Sequence, residues 1–330
     1  MQLFCGNFIS ESSIRIELLL PTQIPLVLEL VSASVDVMRQ FCIVSWLSGL
    51  SASHPIRMYL PLRDESFTLA MVMFPLKLPQ KSCVRAGDGG SITVRGSELY
   101  THGVFGSAEY RETLTLKKVE ITGSTVVTGD VIGGKGDSSS VDEIVIRNSN
   151  ISLDSTDIYN RYSIGCGKNG SFGSIDIQNS TIDIPRGSDS AAIGSALGGN
   201  FTGESLIRIA DSQVTVACLR RSPAIGAGVS SYGNGKLKIY IENSNVTAKG
   251  GAPKADDQYI PGIGRHGSDS KPEVYIQILN STVESFRHTK TGVENDSDLV
   301  YDDLHIKELP GIPPENITIC GSTVNGTRID

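Results

Sequence analysis

The ten residues IDIQNSTIDI from Ile175 alternate apolar and polar positions, break at an Asn-Ser pair, and alternate again. Nearly the same run recurs as IVIRNSNISL from Ile144, IRIADSQVTV from Ile207, IYIENSNVTA from Ile239 and IQILNSTVES from Ile276. Alternation with period two puts every second side chain on one face of a strand, so each run predicts two short strands joined at a hinge. Aligned on the hinge, the column is Gly96, Lys118, Asn148, Asn179, Asp211, Asn243, Asn280 and Gly321, with steps of 22, 30, 31, 32, 32, 37 and 41 residues. Apolar residues stand two and four positions before it, as in Ile144 and Ile146, Ile175 and Ile177, Ile207 and Ile209, Ile239 and Ile241. They return after it in Ile151 and Leu153, Ile182 and Ile184, Val214 and Val216.

A third apolar word follows each hinge: VIGG at Val131, SIGCG at Ser163, AIGSA at Ala192, AIGAG at Ala224 and GIGRHG at Gly262. Each repeat thus supplies three strands and three corners. One repeat cannot bury its own apolar face, but stacked repeats bury it continuously. The expected fold class is all-β, a parallel β-helix over residues 88–328 with about seven to eight coils, each rising about 4.8 Å. The hinge Asn is in phase with the inward Ile residues. It is therefore expected to point into the coil and stack on its neighbours, while its tolerance of left-handed backbone suits a sharp corner. The glycine after each third-strand Ile is expected to turn a second corner.

These "AIG-G…G…IxIxNSxVTA" units resemble a group of secreted and cell-surface right-handed β-helix proteins of bacteria and protists. That group is similar in fold to pectate lyases and includes carbohydrate-binding domains. The resemblance covers residues 88–328 and implies a secreted or surface location and a polysaccharide or surface-glycan partner.

Composition shifts near residue 85. Of 35 glycines, Gly6 and Gly49 alone precede Gly87, and the segment before the shift is rich in Leu. Three parts are expected: an apolar segment at 1–53, a linker or cap at 54–87, and the β-helix at 88–328. The first carries Glu17, Glu29 and two prolines within its apolar run, which suits neither a signal sequence nor a membrane helix. From Met38, however, Arg39 precedes an apolar stretch, Phe41 to Leu50, and a Ser51-Ala52-Ser53 cleavage pattern, so translation from Met38 would give an exported product. The alternative is a helix covering the open end of the β-helix, where the strand edges need protection.

The net charge of −7 argues against a nucleic-acid footprint, and no apolar run is long enough for a membrane helix. The six cysteines, at 5, 42, 83, 166, 218 and 320, are scattered with no CxxC pair, which suggests buried thiols rather than a disulfide framework or a zinc site. No cofactor or metal is implied; the pairs Gly129-Asp130 and Gly136-Asp137 fall short of a calcium-binding repeat. Oligomeric state is open.

Asn-x-Ser/Thr sequons are frequent. Asn150 and Asn245, outside the hinge column, are the expected glycan acceptors, while Asn179 and Asn280, inside it, are expected to be inaccessible. His102 and His266 are expected at the surface, and Asp256-Asp257 and Asp302-Asp303 in loops. The outward columns of the first strand hold the candidate ligand-binding residues. One column is Thr93, Thr115, Val145, Asp176, Arg208, Tyr240, Gln277 and Thr318; the next is Arg95, Lys117, Arg147, Gln178, Ala210, Glu242, Leu279 and Cys320. Arg147, Asp176, Gln178, Arg208, Tyr240 and Glu242 together form a surface that sugar hydroxyls and rings could use. The leading expectation is a non-catalytic carbohydrate-binding or adhesive protein. The alternatives are a polysaccharide lyase or glycoside hydrolase and a structural spacer. In a hydrolase Asp176 and Glu242 would be the carboxylates with Arg208 between them, about 9.6 Å apart in backbone position, against roughly 6.5–9.5 Å for inversion; in a lyase Arg147 or Arg208 would be the base.

Overall fold

The computed structural model describes residues 13–19, 25–31, 67–70, 76–77, 83–86, 88–101, 103–105, 113–153, 164–187, 190–252, 260–266, 271–288, 301–303 and 312–330. Among them the chain is a parallel β-helix with three sheets running along its length. The first sheet holds nine strands, from Phe67–Ala70 through Phe172–Gln178, Glu204–Ala210 and Lys236–Glu242 to Ile317–Cys320. The second follows each hinge, as in Thr181–Gly187, Gln213–Cys218 and Asn245–Lys249. The third contains the glycine words, as in Ile164–Cys166, Ile193–Ser195 and Ile225–Ala227. Along the stack the strands pair with their counterparts one coil away: Ile175 with Ile207, Ile207 with Ile239, and Ile239 with Ile276.

The inward columns make the core. Ile144, Ile146, Ile175, Ile177, Ile207, Ile209, Ile239 and Ile241 are fully buried, as are Ile164, Ile193, Ile225 and Ile263 from the third sheet. Burial of each such side chain stabilises the coil by about 1.5–3 kcal/mol. Phe172 and Phe201 meet edge to face, with ring centroids 5.8 Å apart, where the chain enters two successive first-sheet strands.

The stack begins one coil earlier than the glycine boundary suggests. Phe67–Ala70 pairs with Ser91–Arg95, Leu76–Lys77 with the strand at Glu98–Thr101, and Cys83–Arg85 with Gly103–Phe105, all parallel. Part of the expected 54–87 linker is therefore β-helix. Upstream, Ser13–Leu19 and Pro25–Val31 pair antiparallel instead of forming a helix. The alternation in SIRIELL and PLVLELV has period two, which favours strands. The segment from Met38 to Ser53 lies outside the described residues. At the other end Thr327–Ile329 folds back antiparallel on Ser322–Val324, ending the second sheet in a hairpin.

Two hinge expectations are corrected. In the second full coil the hinge is Gly123, not Lys118, because Arg95 pairs with Thr122 and Lys118 lies inside the strand Thr115–Thr122 opposite Ser91 and Glu143. The outward columns accordingly contain Glu120 and Thr122 in place of Thr115 and Lys117. The strand has two successive outward residues, Lys117 and Lys118, between buried Leu116 and Val119, and this phase slip disguised the register.

The second correction concerns direction. Asn148, Asn179, Asp211, Asn243 and Asn280 have φ between 46° and 51° and are exposed. The left-handed residue reverses the alternation, so it is the following serine that turns inward. Ser97, Ser124, Ser149, Ser180, Ser212, Ser244, Ser281 and Ser322 are all buried. Each serine N–H donates to the hydroxyl of the next serine along the axis, from Ser97 to Ser322, at 3.0–3.2 Å. Each hydroxyl donates to the carbonyl two residues before it at 2.6–2.8 Å. The internal ladder is serine, not asparagine, and each of its bonds contributes about 0.5–1.5 kcal/mol.

The third-strand glycines lie within strands rather than at corners. A Cβ on Gly165, Gly194 or Gly226 would stand 1.7–2.0 Å from the carbonyl oxygen of the next glycine in the stack. Close approach of one coil to the next excludes any side chain there.

Candidate functional site

The outer face of the first sheet brings the candidate ligand-binding residues together. Asp176 pairs in register with Arg208, and Arg208 with Tyr240. Arg147 Nη2 lies 3.2 Å from Asp176 Oδ2, and Arg208 Nη1 lies 3.4 Å from Asp176 Oδ1. Gln178 donates from Nε2 to both Asp176 oxygens, at 3.0 and 2.8 Å. Arg208 Nη2 also donates to Glu242 Oε1. Burial works against the Arg208 charge, but Glu242 and then Asp176 outweigh it, and the guanidinium is held above its ordinary value.

One polar network therefore runs across four coils, with Tyr240 paired in register with Arg208. It continues as alternating charge toward the amino-terminal end: Lys118 lies 3.2 Å from Glu143 and 3.4 Å from Glu120, and Arg95 lies 2.9 Å from Glu120. Arg208 contacts both carboxylates of the hydrolase alternative, so neither is a solitary acid or base. Exposed pairs of this kind contribute about 0–1 kcal/mol each to stability.

The hinge corner beside this face forms a shallow, open groove of 290 Å³ lined by Asn179, Thr181, Asp211, Gln213, Asn243 and Asn245, with Ser180 and Ser212 at its floor. Sequence reasoning missed it because it placed the hinge side chains inside the coil. The signal was the serine that follows every hinge, which left the variable residue before it to face out. Asn179 Nδ2 donates to Asn148 Oδ1 at 2.6 Å, but among the described residues no side-chain bond joins Asn179, Asp211 and Asn243.

No protein-family model, curated protein or solved structure matches this chain.

The remaining candidates disperse. Asn150 and Asn245 are exposed on the outer face of the second sheet, but Asn179 and Asn280, which were expected to be hidden, are exposed as well, at the hinge corner. His266 is buried rather than at the surface, and His102 and Asp256-Asp257 lie outside the described residues. Asp302 and Asp303 belong to the strand Tyr301–Asp303, which pairs antiparallel with Thr282–His288. Cys166 and Cys218 are buried thiols, whereas Cys320 is exposed. Asp130 forms a buried ion pair with Lys135, an arrangement that occupies its carboxylate. Among the described residues no three His, Cys, Asp or Glu side chains converge to hold a metal ion, and no helix is long and apolar enough to cross a membrane.

Proposed function

We propose that the protein is a secreted or cell-surface β-helix that binds a carbohydrate chain along its axis, without catalysis. The observation that supports this most is the continuous outer network of Arg147, Asp176, Gln178, Arg208, Tyr240 and Glu242, repeated coil upon coil in register. A chain-like ligand meets polar side chains on four successive coils, from Arg147 to Glu242, with Tyr240 offering an apolar ring face and a polar tip. The charged groups donate and accept hydrogen bonds to hydroxyls or carboxylates. The resemblance of the repeat to surface β-helix proteins points the same way, as do the exposed sequons at Asn150 and Asn245, which fit glycosylation in export.

The non-catalytic part of the reading rests on Arg208. A hydrolase needs one carboxyl group free to act as acid and a second free to act on water or the sugar, whereas Arg208 bonds to Asp176 and Glu242 together. A glycan array probed with the full chain tests binding, and the double substitution Arg208→Ala/Tyr240→Ala should abolish retention while leaving folding nearly intact. Undiminished retention by the folded double variant overturns the placement of the site. Release of reducing ends or unsaturated products from a polysaccharide panel overturns the non-catalytic reading. Amino-terminal sequencing of the native protein tests export, with a start near His54 expected.

A further inference from the structure

The hinge corner carries a choice that the turn itself does not require. Gly96, Gly123 and Gly321 make the same left-handed turn at the ends of the column, with φ of 56°, 59° and 60°. The five coils between them use Asn148, Asn179, Asp211, Asn243 and Asn280, which adopt that backbone less readily than glycine. Since glycine serves the turn, these side chains need another account, and they are exposed. Stacking explains one step, the bond from Asn179 to Asn148. It stops there: Asp211, as a carboxylate, has no proton to pass along an amide ladder. The groove opens where the ladder stops.

The groove's own hydrogen-bonding capacity is well defined. Its floor is closed chemistry, because the Ser180 and Ser212 hydroxyls donate to Gln178 and Ala210 and accept from Ser149 and Ser180 N–H groups. Its walls are open: the amides of Asn179, Gln213, Asn243 and Asn245 and the hydroxyl of Thr181 are exposed, and each can both donate and accept. Its one charge is the Asp211 carboxylate, and no Lys or Arg lines it. The adjoining sheet face is the opposite, with its charges already engaged in mutual pairs.

We infer that this corner groove is a subsite for the hydroxyl groups of an uncharged glycan chain lying along the axis. The inference rests on the carbohydrate-binding reading and assigns the ligand class. Groups that donate and accept at once match sugar hydroxyls, which do the same. Asp211 accepts from a hydroxyl but repels a uronate or sulfate. The groove offers a hard divalent cation a single carboxylate, and binding is expected to be independent of metal.

The test uses the full chain expressed without N-glycans, so that Asn179 and Asn245 are bare. Retention is measured on immobilised neutral polysaccharides (glucan, mannan, galactan) and on polygalacturonate and alginate, with and without EDTA. Wild type should retain a neutral chain, and EDTA should not release it. The triple variant Asn179→Gly/Asp211→Gly/Asn243→Gly keeps the turn as Gly96 and Gly123 do, and should lose at least tenfold in affinity. Asp211→Asn, which preserves shape, should raise retention of uronate chains relative to neutral ones, and it stands as the test if the triple variant does not fold. Retention of acidic chains alone, release by EDTA, or affinity of the folded triple variant within twofold of wild type overturns the groove. If Arg208→Ala/Tyr240→Ala then abolishes binding, the sheet-face reading survives without it. No retention of any polysaccharide overturns both.

Discussion

The Ser212 hydroxyl accepts the Ser180 N–H at 3.1 Å and donates to the Ala210 carbonyl at 2.6 Å, while the Ser212 N–H donates to Ser244 at 3.0 Å. Three coils are joined through one residue, by its hydroxyl on one side and its backbone N–H on the other. Ser212→Ala leaves the buried Ser180 N–H without its acceptor, and the expected cost is about 1–3 kcal/mol. Among the described residues no N–H donates to the Ser97 hydroxyl at the end of the ladder, so Ser97→Ala should cost less, about 0.5–1.5 kcal/mol. Urea denaturation of the two variants checks the order, and equal midpoints would contradict a directional ladder.

The outer charges give a pH dependence with a defined sign. Burial alone would raise the Glu120 pKa, but the hydrogen bond and charge of Arg95, with Lys118, outweigh it and hold the carboxyl below its ordinary value of 4.5. A depressed folded-state pKa means that the stabilisation is present above the unfolded value and lost as pH falls through the folded one. Glu120→Gln should therefore lower stability at pH 7, by no more than about 1 kcal/mol for so exposed a network. The difference from wild type should shrink steadily below pH 4.5. Midpoints that diverge on acidification would reverse the assignment.

The period of the fold was legible because Ile-x-Ile returns in every central coil and only stacking buries it. The direction of the hinge was not, since alternation counted straight through Asn179 assumes that no residue turns left-handed. One αL residue reverses the phase and exchanges Asn179 for Ser180 at the core. Lys118 misled for a related reason: Leu114 and Leu116 imitate the pre-hinge pair, and the slip at Lys117 and Lys118 hides the true pair, Val119 and Ile121. On the sheet face, column and neighbours were legible from Asp176 to Glu242, because strand register alone sets them. The groove was not, because it depends on which way the hinge side chain points.

Thiol reactivity separates Cys166, Cys218 and Cys320. Burial pushes the Cys166 thiol up to about 12, against which two backbone hydrogen bonds count little, and Cys218 is buried as well. Cys320 is exposed at the end of the last first-sheet strand. Iodoacetamide at pH 8 should modify Cys320 in the folded protein and spare Cys166 and Cys218 until denaturant is added, since the thiolate is the reacting species. Peptide mass mapping reads the result, and modification of Cys166 at the rate of Cys320 would contradict its burial.

The third sheet offers the sharpest contrast between two glycines. A Cβ on Gly194 would lie 2.0 Å from the Gly226 carbonyl oxygen and 2.9 Å from its carbon, both backbone atoms of the next coil that no rotamer change can move. Gly194 also has φ of 136°, a backbone that L side chains rarely adopt. Gly194→Ala must therefore push two coils apart in the middle of the stack, disturbing the buried Ile193 and Ile225 on either strand. The expected loss is about 4 kcal/mol or more, in the range reserved for a few severe mechanisms. Gly203 lies at the entry to the strand Glu204–Ala210, and a Cβ there would meet nothing within 4 Å. Gly203→Ala should change stability by no more than about 0.5 kcal/mol. Equilibrium unfolding of both variants, with hydrogen exchange to locate the damage, decides the matter. Loss of protection should centre on Ile193–Ser195 and Ile225–Ala227, and a Gly194→Ala protein as stable as Gly203→Ala would mean that the coils do not approach as closely as this stacking requires.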